Sequence, residues 1–534
     1  MQHRAFRIGA LCAICLFIVT GFAAAAGRTE TTVAPDDVVT FRTQNWAFLQ
    51  DFDLENDRIA QYVHERFQVI FNSVVIEEVD QLRLMAAAGD LPDMFTMSTL
   101  GGANFDRWND FVDQGIIRPV PQELIDKYPN IARLYDEVPV AQAQKDFKGD
   151  FYGIPRPTQL EPVFQSEWVG TFYRKDWMQN VGITEEPTSF EGFYEMARRF
   201  TFDDPNNTGR DDTFGVTAPG LGFMRWAWWN NWGAPGGWQW DDASQSWVLG
   251  ELQDWNIAPL EWLQRMYHEG ILDPEFAILD SLQAIQRLAA GLAGTMPRNA
   301  DIFWMERTIV QEFGGANPEI GNPYDAMSVI PAMTMEPGMP PLVGAHNPHD
   351  FVQFNAQTMS DAHLDRYMEV HNWMLTDEAT RLLRLGFEGE HWEFGPDGQI
   401  VQLPQPDGTP ANIMDIYPAA GLSGQVSWYF NLNADPNWPH GFMPETLRLS
   451  ERLRSVWNPN AIELDLRGQF VRVPKMEEYA RVVVDEAWVN MIQSRDPIEP
   501  QFRRWVEQEL RAGARELIDQ FNVEARRLGL TGSL

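Results

Sequence analysis

The fold class is indicated by Val38–Phe95, VVTFRTQNWAFLQDFDLENDRIAQYVHERFQVIFNSVVIEEVDQLRLMAAAGDLPDMF, where short apolar runs alternate with amphipathic ones. Val38–Phe41 and Val74–Ile76 are rich in β-branched residues, which favour strands. Asn56–Phe67 repeats its apolar residues at helical spacing, and Gln81–Ala88 predicts a second, shorter helix. Strand, helix, strand and helix in this order predict an α/β fold.

The amino terminus has the organisation of a secretory signal peptide. A positively charged start precedes the apolar run Ile8–Phe22, and Ala23–Ala26 supplies small residues for cleavage. The apolar run is shorter than the ~20 residues that a membrane-spanning helix needs. We therefore expect residues 1–26 to be removed, residues 27–37 to form a linker, and the mature protein to be periplasmic or extracellular.

Both cysteines, Cys12 and Cys15, lie in the predicted signal peptide, so the mature chain is expected to contain no disulfide. Neither is preceded by the pattern of a bacterial lipobox, which predicts a protein without a lipid anchor. Cleavage removes two arginines and no acidic residue, taking the net charge from −35 to −37. Such a charge disfavours nucleic acid and anionic membranes.

Met224–Trp240, MRWAWWNNWGAPGGWQW, contains six tryptophans in seventeen residues. Four of them cover most of a helix circumference before glycines end it, so some rings are expected to face something other than core. We predict that these four stack on a ligand with flat apolar faces, a sugar, in a cleft: Trp226, Trp228, Trp229 and Trp232. The alternative is aromatic packing beneath a long loop.

Asp203–Gly215, DDPNNTGRDDTFG, has the ligand spacing of a calcium loop. Counting from Asp204, oxygen-bearing side chains recur at positions one, three, five and nine. Position six is a glycine, and position seven offers its carbonyl oxygen. Calcium prefers such oxygen ligands. The predicted ligands are Asp204, Asn206, Thr208, Arg210 (carbonyl) and Asp212. Position twelve is Gly215 in place of the usual bidentate Glu, and a metal-free turn is the alternative.

Several segments together resemble the family 1 type of bacterial extracellular solute-binding proteins of ABC importers. MAAAGDLPDMF (85–95) is similar to that family's AxGDxPDI segment, and TFYRKDWMQNVG (171–182) to its RKDW strand-to-helix turn. NIAPLEWLQRMYHEGILDPEF (256–276) is the most specific match, and EVHNWMLTDEATRLLRLGFEGEHWEF (369–394) follows in the same order. The resemblance spans about residues 38–526 and is strongest to the subgroup that handles oligosaccharides.

This resemblance implies a bilobal α/β fold of the type II periplasmic-binding-protein kind, with two discontinuous lobes and a hinge. The implied first lobe is 38–155 plus 342–375, and the second is 156–341 plus 376–534. It implies a monomeric receptor that captures a sugar between its lobes and delivers it to membrane permease subunits. By analogy alone, five more residues are predicted to contact the ligand: Trp46, Asp93, Arg174, Arg298 and His391. Some relatives bind calcium structurally at the loop described above.

The strongly negative charge favours a neutral oligosaccharide over a uronate. Two other functions remain open on the sequence: a secreted lyase or glycosidase with tryptophan-lined subsites, and a sensor that binds sugar without transport. The sequence lacks the Gly-x-Ser-x-Gly, Gly-x-x-x-x-Gly-Lys-Ser/Thr and His-Glu-x-x-His motifs. We therefore predict no catalytic residues.

Overall fold

The computed structural model describes the greater part of the chain. The described residues are 34, 37–45, 52–76, 79–99, 102–157, 169–345, 350–405, 413–426, 443–463, 467–479 and 482–532. The predicted signal peptide, and with it Cys12 and Cys15, lies outside them.

Fifteen strands occur within the described residues. In chain order they are Val39–Asn45 (β1), Val69–Val75 (β2), Met94–Met97 (β3), Ile154–Arg156 (β4), Val169–Arg174 (β5), Phe214–Val216 (β6), Trp238–Asp241 (β7), Ser246–Leu249 (β8), Ala293–Asn299 (β9), Met327–Ile330 (β10), Val343–Ala345 (β11), Asp350–Phe354 (β12), Trp392–Phe394 (β13), Ile400–Gln402 (β14) and Ala461–Glu463 (β15).

Nineteen α-helices occur in the same parts of the chain. They are Arg58–Phe67 (α1), Val79–Ala88 (α2), Gly102–Asp113 (α3), Gln122–Lys127 (α4), Pro129–Glu137 (α5), Pro139–Lys148 (α6), Lys175–Asn180 (α7), Phe190–Phe202 (α8), Leu221–Trp228 (α9), Ile257–His268 (α10), Ser281–Ala289 (α11), Ile302–Met305 (α12), Asp361–Met374 (α13), Asp377–Leu385 (α14), Ile413–Ile416 (α15), Pro444–Trp457 (α16), Asp485–Gln493 (α17), Ile498–Glu509 (α18) and Arg515–Arg527 (α19). No helix in the described part of the chain is long and apolar enough to span a membrane.

The first sheet has the strand order β2-β1-β3-β12-β4. β1 is parallel to β2 and β3, whereas β12 is antiparallel to both of its neighbours. The carboxyl ends of β1, β2, β3 and β4 therefore meet the amino end of β12 at one edge. The predicted helix over residues 56–67 is confirmed as α1, and its apolar face is buried through Ile59, Val63 and Phe67.

The second sheet has the strand order β10-β5-β9-β6. β5 is antiparallel to β10 and β9, and β6 is parallel to β9. The carboxyl ends of β6, β9 and β10 therefore meet the amino end of β5 at one edge. Every residue of β5 is buried, and Phe172 and Tyr173 enter separate core clusters because successive strand side chains point to opposite faces.

The two sheets carry separate hydrophobic cores, so the protein has two lobes. One core surrounds the first sheet, and two clusters cover the faces of the second. The chain passes from the first sheet to the second between residues 156 and 169, and returns between 330 and 350. The α/β fold with two discontinuous lobes is thus confirmed.

The sequence-based division placed everything after residue 375 in the second lobe, and the structure differs from it within residues 379–426. Ala379, Leu382 and Leu383 of α14 lie in the core of the first lobe. The backbone N–H of Ala419 also donates a 2.6 Å hydrogen bond to the Asp57 carboxylate, which caps α1. The apolar face of α14 packs against the first lobe, and this contact could not be read from the order of motifs along the chain.

The connection from β10 to β12 contains β11, which pairs in parallel with β15. β11 follows the last strand of the second sheet and precedes a strand of the first, so this pair lies on a route between the lobes. We refer to β11 and β15 as the hinge pair.

Candidate functional site

The tryptophan-rich stretch begins with α9, whose two faces differ. Leu221, Met224 and Trp228 are buried at helical spacing and attach the helix to the second lobe. On the opposite face, Phe223 and Trp226 are half-buried and their ring centroids lie 5.9 Å apart, with an interplanar angle of 44°. We call Phe223 and Trp226 the aromatic pair. Phe223 was not predicted from the sequence, although its three-residue spacing from Trp226 places both on one helix face.

Trp228 and Trp229 lie in the core of the second lobe, contrary to the predicted stacking on ligand. Trp228 is 1 % exposed and its indole N–H donates to the Thr171 hydroxyl at 3.1 Å. Trp229 is 4 % exposed and donates to the Asn256 side chain at 3.2 Å. Neither ring presents an exposed face, because helical spacing turns these residues toward the sheet and α17, where Trp229 stacks on Trp488.

The remaining tryptophans of the stretch are half-buried and engaged in packing. Trp232 stacks on Phe190 with ring centroids 4.7 Å apart, and Trp238 stacks on Phe521 at 3.5 Å. Trp240 makes an edge contact with Trp247. The packing alternative therefore accounts for most of the stretch, and the aromatic pair is the part that faces away from the core.

Two attachments place α9 beside the space between the lobes. The helix begins at Leu221, shortly after the carboxyl end of β6, and so starts at the edge where the second sheet's strands end. Beyond the helix, the 3-10 turn Trp229–Trp232 approaches β11 of the hinge pair. There the Asn231 side-chain oxygen accepts a 2.8 Å hydrogen bond from the backbone N–H of Leu342. The helix is therefore fixed between the edge of the second sheet and the hinge pair.

Among the predicted cationic contacts, Arg298 lies at the edge of the second sheet where α9 begins. It lies at the carboxyl end of β9, is 2 % exposed, and its guanidinium carbon sits 3.6 Å from the centroid of the Trp304 ring. On the first sheet, Arg156 at the carboxyl end of β4 forms a buried ion pair with Asp350 at the amino end of β12. Both edges therefore carry arginines whose charge is already engaged within the protein.

Asp93 and Arg174 lie at the opposite edges of their sheets. Asp93 directly precedes β3, and its carboxylate accepts a 2.7 Å hydrogen bond from the backbone N–H of Arg42. Arg174 ends β5, which runs antiparallel to β9, and forms a 2.6 Å ion pair with Asp176. These two residues join secondary structure elements and are remote from the edge that meets the cleft, so the predicted ligand contacts are not supported.

His391 packs in the first lobe and makes local contacts. Its Nδ1 accepts a hydrogen bond from the backbone N–H of Phe387 at 3.1 Å, and its ring lies edge-on to Tyr417. The ring is 9 % exposed, which fits a structural role. Trp46, the remaining predicted contact, lies outside the described residues.

The predicted calcium loop brings four of its side chains together. The Thr208 hydroxyl lies 3.0 Å from Asn206 Oδ1 and 3.2 Å from Asp212 Oδ1. The carboxylate of Asp204 instead accepts backbone hydrogen bonds from Thr208 and Gly209 at 2.9 and 3.0 Å. Hydrogen bonds, that of Asn206 foremost, lower the pKa of Asp212. The loop is thus closed by its own hydrogen bonds, as in a metal-free turn.

Position twelve of this loop cannot carry a side chain in the present fold. A Cβ on Gly215 would clash with the backbone oxygen of Ala197, because β6 packs closely against α8. The bidentate Glu of the standard loop is therefore excluded sterically. No group of three or more His, Cys, Asp or Glu side chains in the described ranges is placed to hold a metal ion.

Comparisons with known proteins agree with this architecture. Residues 66–297 match the family described as bacterial extracellular solute-binding protein. Lipoprotein LipO of Bacillus subtilis (strain 168) is 25 % identical over 255 residues, which are 45 % of this chain and 46 % of LipO. The polygalacturonan/rhamnogalacturonan-binding protein YtcQ of the same organism is 31 % identical over 140 residues, 26 % of this chain and 25 % of YtcQ. The matches thus span about half and a quarter of these two relatives.

A solved structure shares the fold over nearly the whole chain. It is the S. pneumoniae ABC-transporter substrate binding protein FusA in complex with kestose, with a TM-score of 0.61 and 15 % identity. The likeness covers 92 % of this chain and 99 % of FusA. The predicted resemblance is therefore confirmed: the chain is similar in sequence to bacterial extracellular solute-binding proteins over residues 66–297 and has their two-lobed fold.

Proposed function

We propose that this protein is the extracytoplasmic receptor of an ABC importer, which captures an oligosaccharide between its lobes and delivers it to membrane permease subunits. The family match supports a binding role; YtcQ is named for binding polygalacturonan and rhamnogalacturonan, and FusA was solved in complex with kestose. We propose that it acts as a monomer without catalytic activity. Ligand that contacts both lobes binds the closed form better and shifts the population toward it.

The observation that carries the proposal is the aromatic pair on the outward face of α9. Phe223 and Trp226 offer neighbouring rings on a helix that begins at the sheet edge. Sugar rings have apolar C–H faces that stack on aromatic rings, and covering ~200 Å² of such surface is worth roughly 5 kcal/mol before other costs. Micromolar affinity needs about 8 kcal/mol net, so the pair would act together with polar contacts.

We propose a neutral oligosaccharide as the ligand. The net charge of −35 opposes the approach of a polyanion. A uronate would need arginines that are available to it, whereas Arg156 is paired with Asp350 and Arg298 lies against Trp304. YtcQ is named for acidic polysaccharides, so acidic ligands form the contrasting arm of the test.

We also propose export by the amino-terminal segment without lipid attachment, and weak structural calcium binding at Asp204–Asp212. Export is proposed from the signal-peptide organisation of the amino terminus. The absence of lipid attachment is proposed from the missing lipobox, although LipO is named a lipoprotein. For calcium binding, the oxygens of Asn206, Thr208 and Asp212 already converge, but Gly215 supplies no ligand. Calcium would join the end of α8 to β6 and would not contact the sugar.

A ligand screen tests the proposal. The purified protein is incubated with neutral and acidic oligosaccharides, its melting temperature is recorded, and the sugar is recovered and analysed. We expect neutral oligosaccharides to raise the melting temperature and to be recovered intact. Shortened or unsaturated products would indicate a glycosidase or lyase, and stabilisation by oligouronates alone would contradict the neutral ligand.

A further inference from the structure

Four consecutive residues, Phe470–Val473, are shared between the cores of the two lobes. Phe470 belongs to the core of the first lobe, whereas Val471 and Val473 belong to the core of the second. Phe470 ends the 3-10 turn Arg467–Phe470, and the chain then continues without regular secondary structure through Val473. The segment therefore lies between the lobes and contributes side chains to both cores.

Phe470 is seated between two aromatic rings of the first lobe. Its ring meets Phe105 of α3 edge-on with centroids 5.4 Å apart, and it lies 5.7 Å from Phe147 of α6. The side chain is 9 % exposed. Separating the lobes at this point would expose all three rings to water, which is unfavourable.

Arg472 makes the second contact with the first lobe. Its Nη2 lies 3.0 Å from the Asp106 carboxylate, and its guanidinium carbon is 4.2 Å from the centroid of Phe105. Burial lowers the pKa of Arg472, and the charges of Asp106, Asp110 and Asp113 on the same helix oppose this shift. An apolar and an ionic contact thus hold the same helix of the first lobe.

The segment is attached firmly to the second lobe on both sides. A Cβ on Gly468 would lie 2.8 Å from Cβ of Trp238 and 3.3 Å from the ring of Trp247, so the backbone packs closely against these two side chains. The backbone N–H of Lys475 donates a 3.0 Å hydrogen bond to Gln520 of α19. With both flanks fixed, Phe470 and Arg472 follow the second lobe when the lobes move.

We propose that Phe470 and Arg472 are positioning residues that set the angle between the lobes and thereby the width of the cleft. They follow β15 of the hinge pair in the chain and contact α3 of the first lobe from a segment attached to the second lobe. The inference rests on the two-lobed fold. Only its consequence for sugar affinity rests on the proposed function.

The inter-lobe distance in the unliganded protein tests this inference. Spin labels are attached at Asp136→Cys on α5 and Glu261→Cys on α10, both exposed, in full-length protein carrying Cys12→Ser and Cys15→Ser. Pulsed electron paramagnetic resonance then gives the distance distribution. We expect Phe470→Ala and Arg472→Gln each to broaden the distribution and to add a population at a different distance.

Arg503→Gln is the matched control, because Arg503 forms exposed ion pairs with Asp254 and Glu499 within the second lobe. It should leave the distribution unchanged. If Phe470→Ala fails to fold, the test of the proposal rests on Arg472→Gln alone, since that variant preserves the apolar contact of Phe470 with the first lobe. An unchanged distribution in a folded Arg472→Gln variant would overturn the proposal, and no sugar is needed for either outcome.

Discussion

Trp229 combines an aromatic contact with a buried hydrogen bond. Its ring lies nearly parallel to that of Trp488, with centroids 6.1 Å apart and 18° between the planes, and its indole N–H reaches Asn256. Asn256 in turn donates to the carbonyl oxygens of Gly250 and Gln253. The ring therefore supports the turn that precedes α10.

Trp229→Ala should destabilise the protein because it leaves a cavity and removes the partner of a buried amide oxygen. We expect the free energy of unfolding of the second lobe to fall by roughly 3–5 kcal/mol, measured by chemical denaturation of the whole protein. Trp240→Ala is the control, because Trp240 is half-buried on β7 and should cost much less. Equal stability of the two variants would show that Trp229 is not a core residue.

His371 is a buried titratable group, with its Nδ1 3.2 Å from the Tyr367 hydroxyl. Burial lowers the pKa of His371 from 6.5 to about 3. Between these values the unfolded chain binds a proton that the folded protein does not, so stability falls as the pH decreases from about 6.5 toward 3. The slope is at most ~1.4 kcal/mol per pH unit.

We expect His371→Asn to reduce this acid-dependent loss of stability, measured as the free energy of unfolding at pH 7, 6 and 5. Asparagine retains a polar group for Tyr367 but does not titrate. His64→Asn, at a half-buried position on α1, serves as the comparison and should keep the slope. A slope in His371→Asn identical to that of the wild type would contradict the assignment.

At the residue scale, the sequence could not predict which aromatic rings of the tryptophan-rich stretch are buried. The number of tryptophans in Met224–Trp240 indicated an aromatic cleft, but the helix phase decides which rings are available. That phase is set by Leu221, Met224 and Trp228, which bind α9 to the sheet. Counting tryptophans could not identify Phe223, whose position on the outward face makes it part of the aromatic pair.

At the scale of the element, the loop between α8 and β6 has two of the features needed for calcium and lacks a third. Gly209 has a positive φ of 72°, as the turn requires, and the oxygens of Asn206, Thr208 and Asp212 converge. The packing of Gly215 against Ala197 excludes the carboxylate that would complete the site. Spacing in the sequence cannot reveal this contact, because it depends on how closely β6 approaches α8.

We expect calcium at millimolar concentration to raise the melting temperature slightly and EDTA to reverse the change, because the incomplete ligand set gives weak affinity. Asp212→Asn should remove the calcium response. Asp242→Asn, in the turn of the β7–β8 hairpin, is the control and should retain it. The absence of any calcium-dependent shift in the wild type would refute the metal proposal.

At the scale of the whole molecule, the order of motifs predicted the two-lobed architecture because each motif corresponds to one strand-helix unit. The strands predicted at Val38–Phe41 and Val74–Ile76 overlap β1 and β2. The position of α14 differs from the prediction, since this helix packs in the core of the first lobe through contacts with residues far away in sequence. The order of motifs also could not show that strand direction places Asp93 before β3 and Arg174 at the end of β5, at the sheet edges opposite to those that carry Arg156 and Arg298.

The central claim is that a sugar binds on the aromatic pair beside the second sheet's edge. Calorimetric titration with the tightest neutral oligosaccharide from the screen tests it most directly, comparing the wild type, Trp226→Ala and Trp240→Ala. We predict that Trp226→Ala weakens binding by about 2 kcal/mol or more, roughly 30-fold in Kd, with little change in melting temperature, whereas Trp240→Ala binds like the wild type. Wild-type affinity in a folded Trp226→Ala protein would contradict the account.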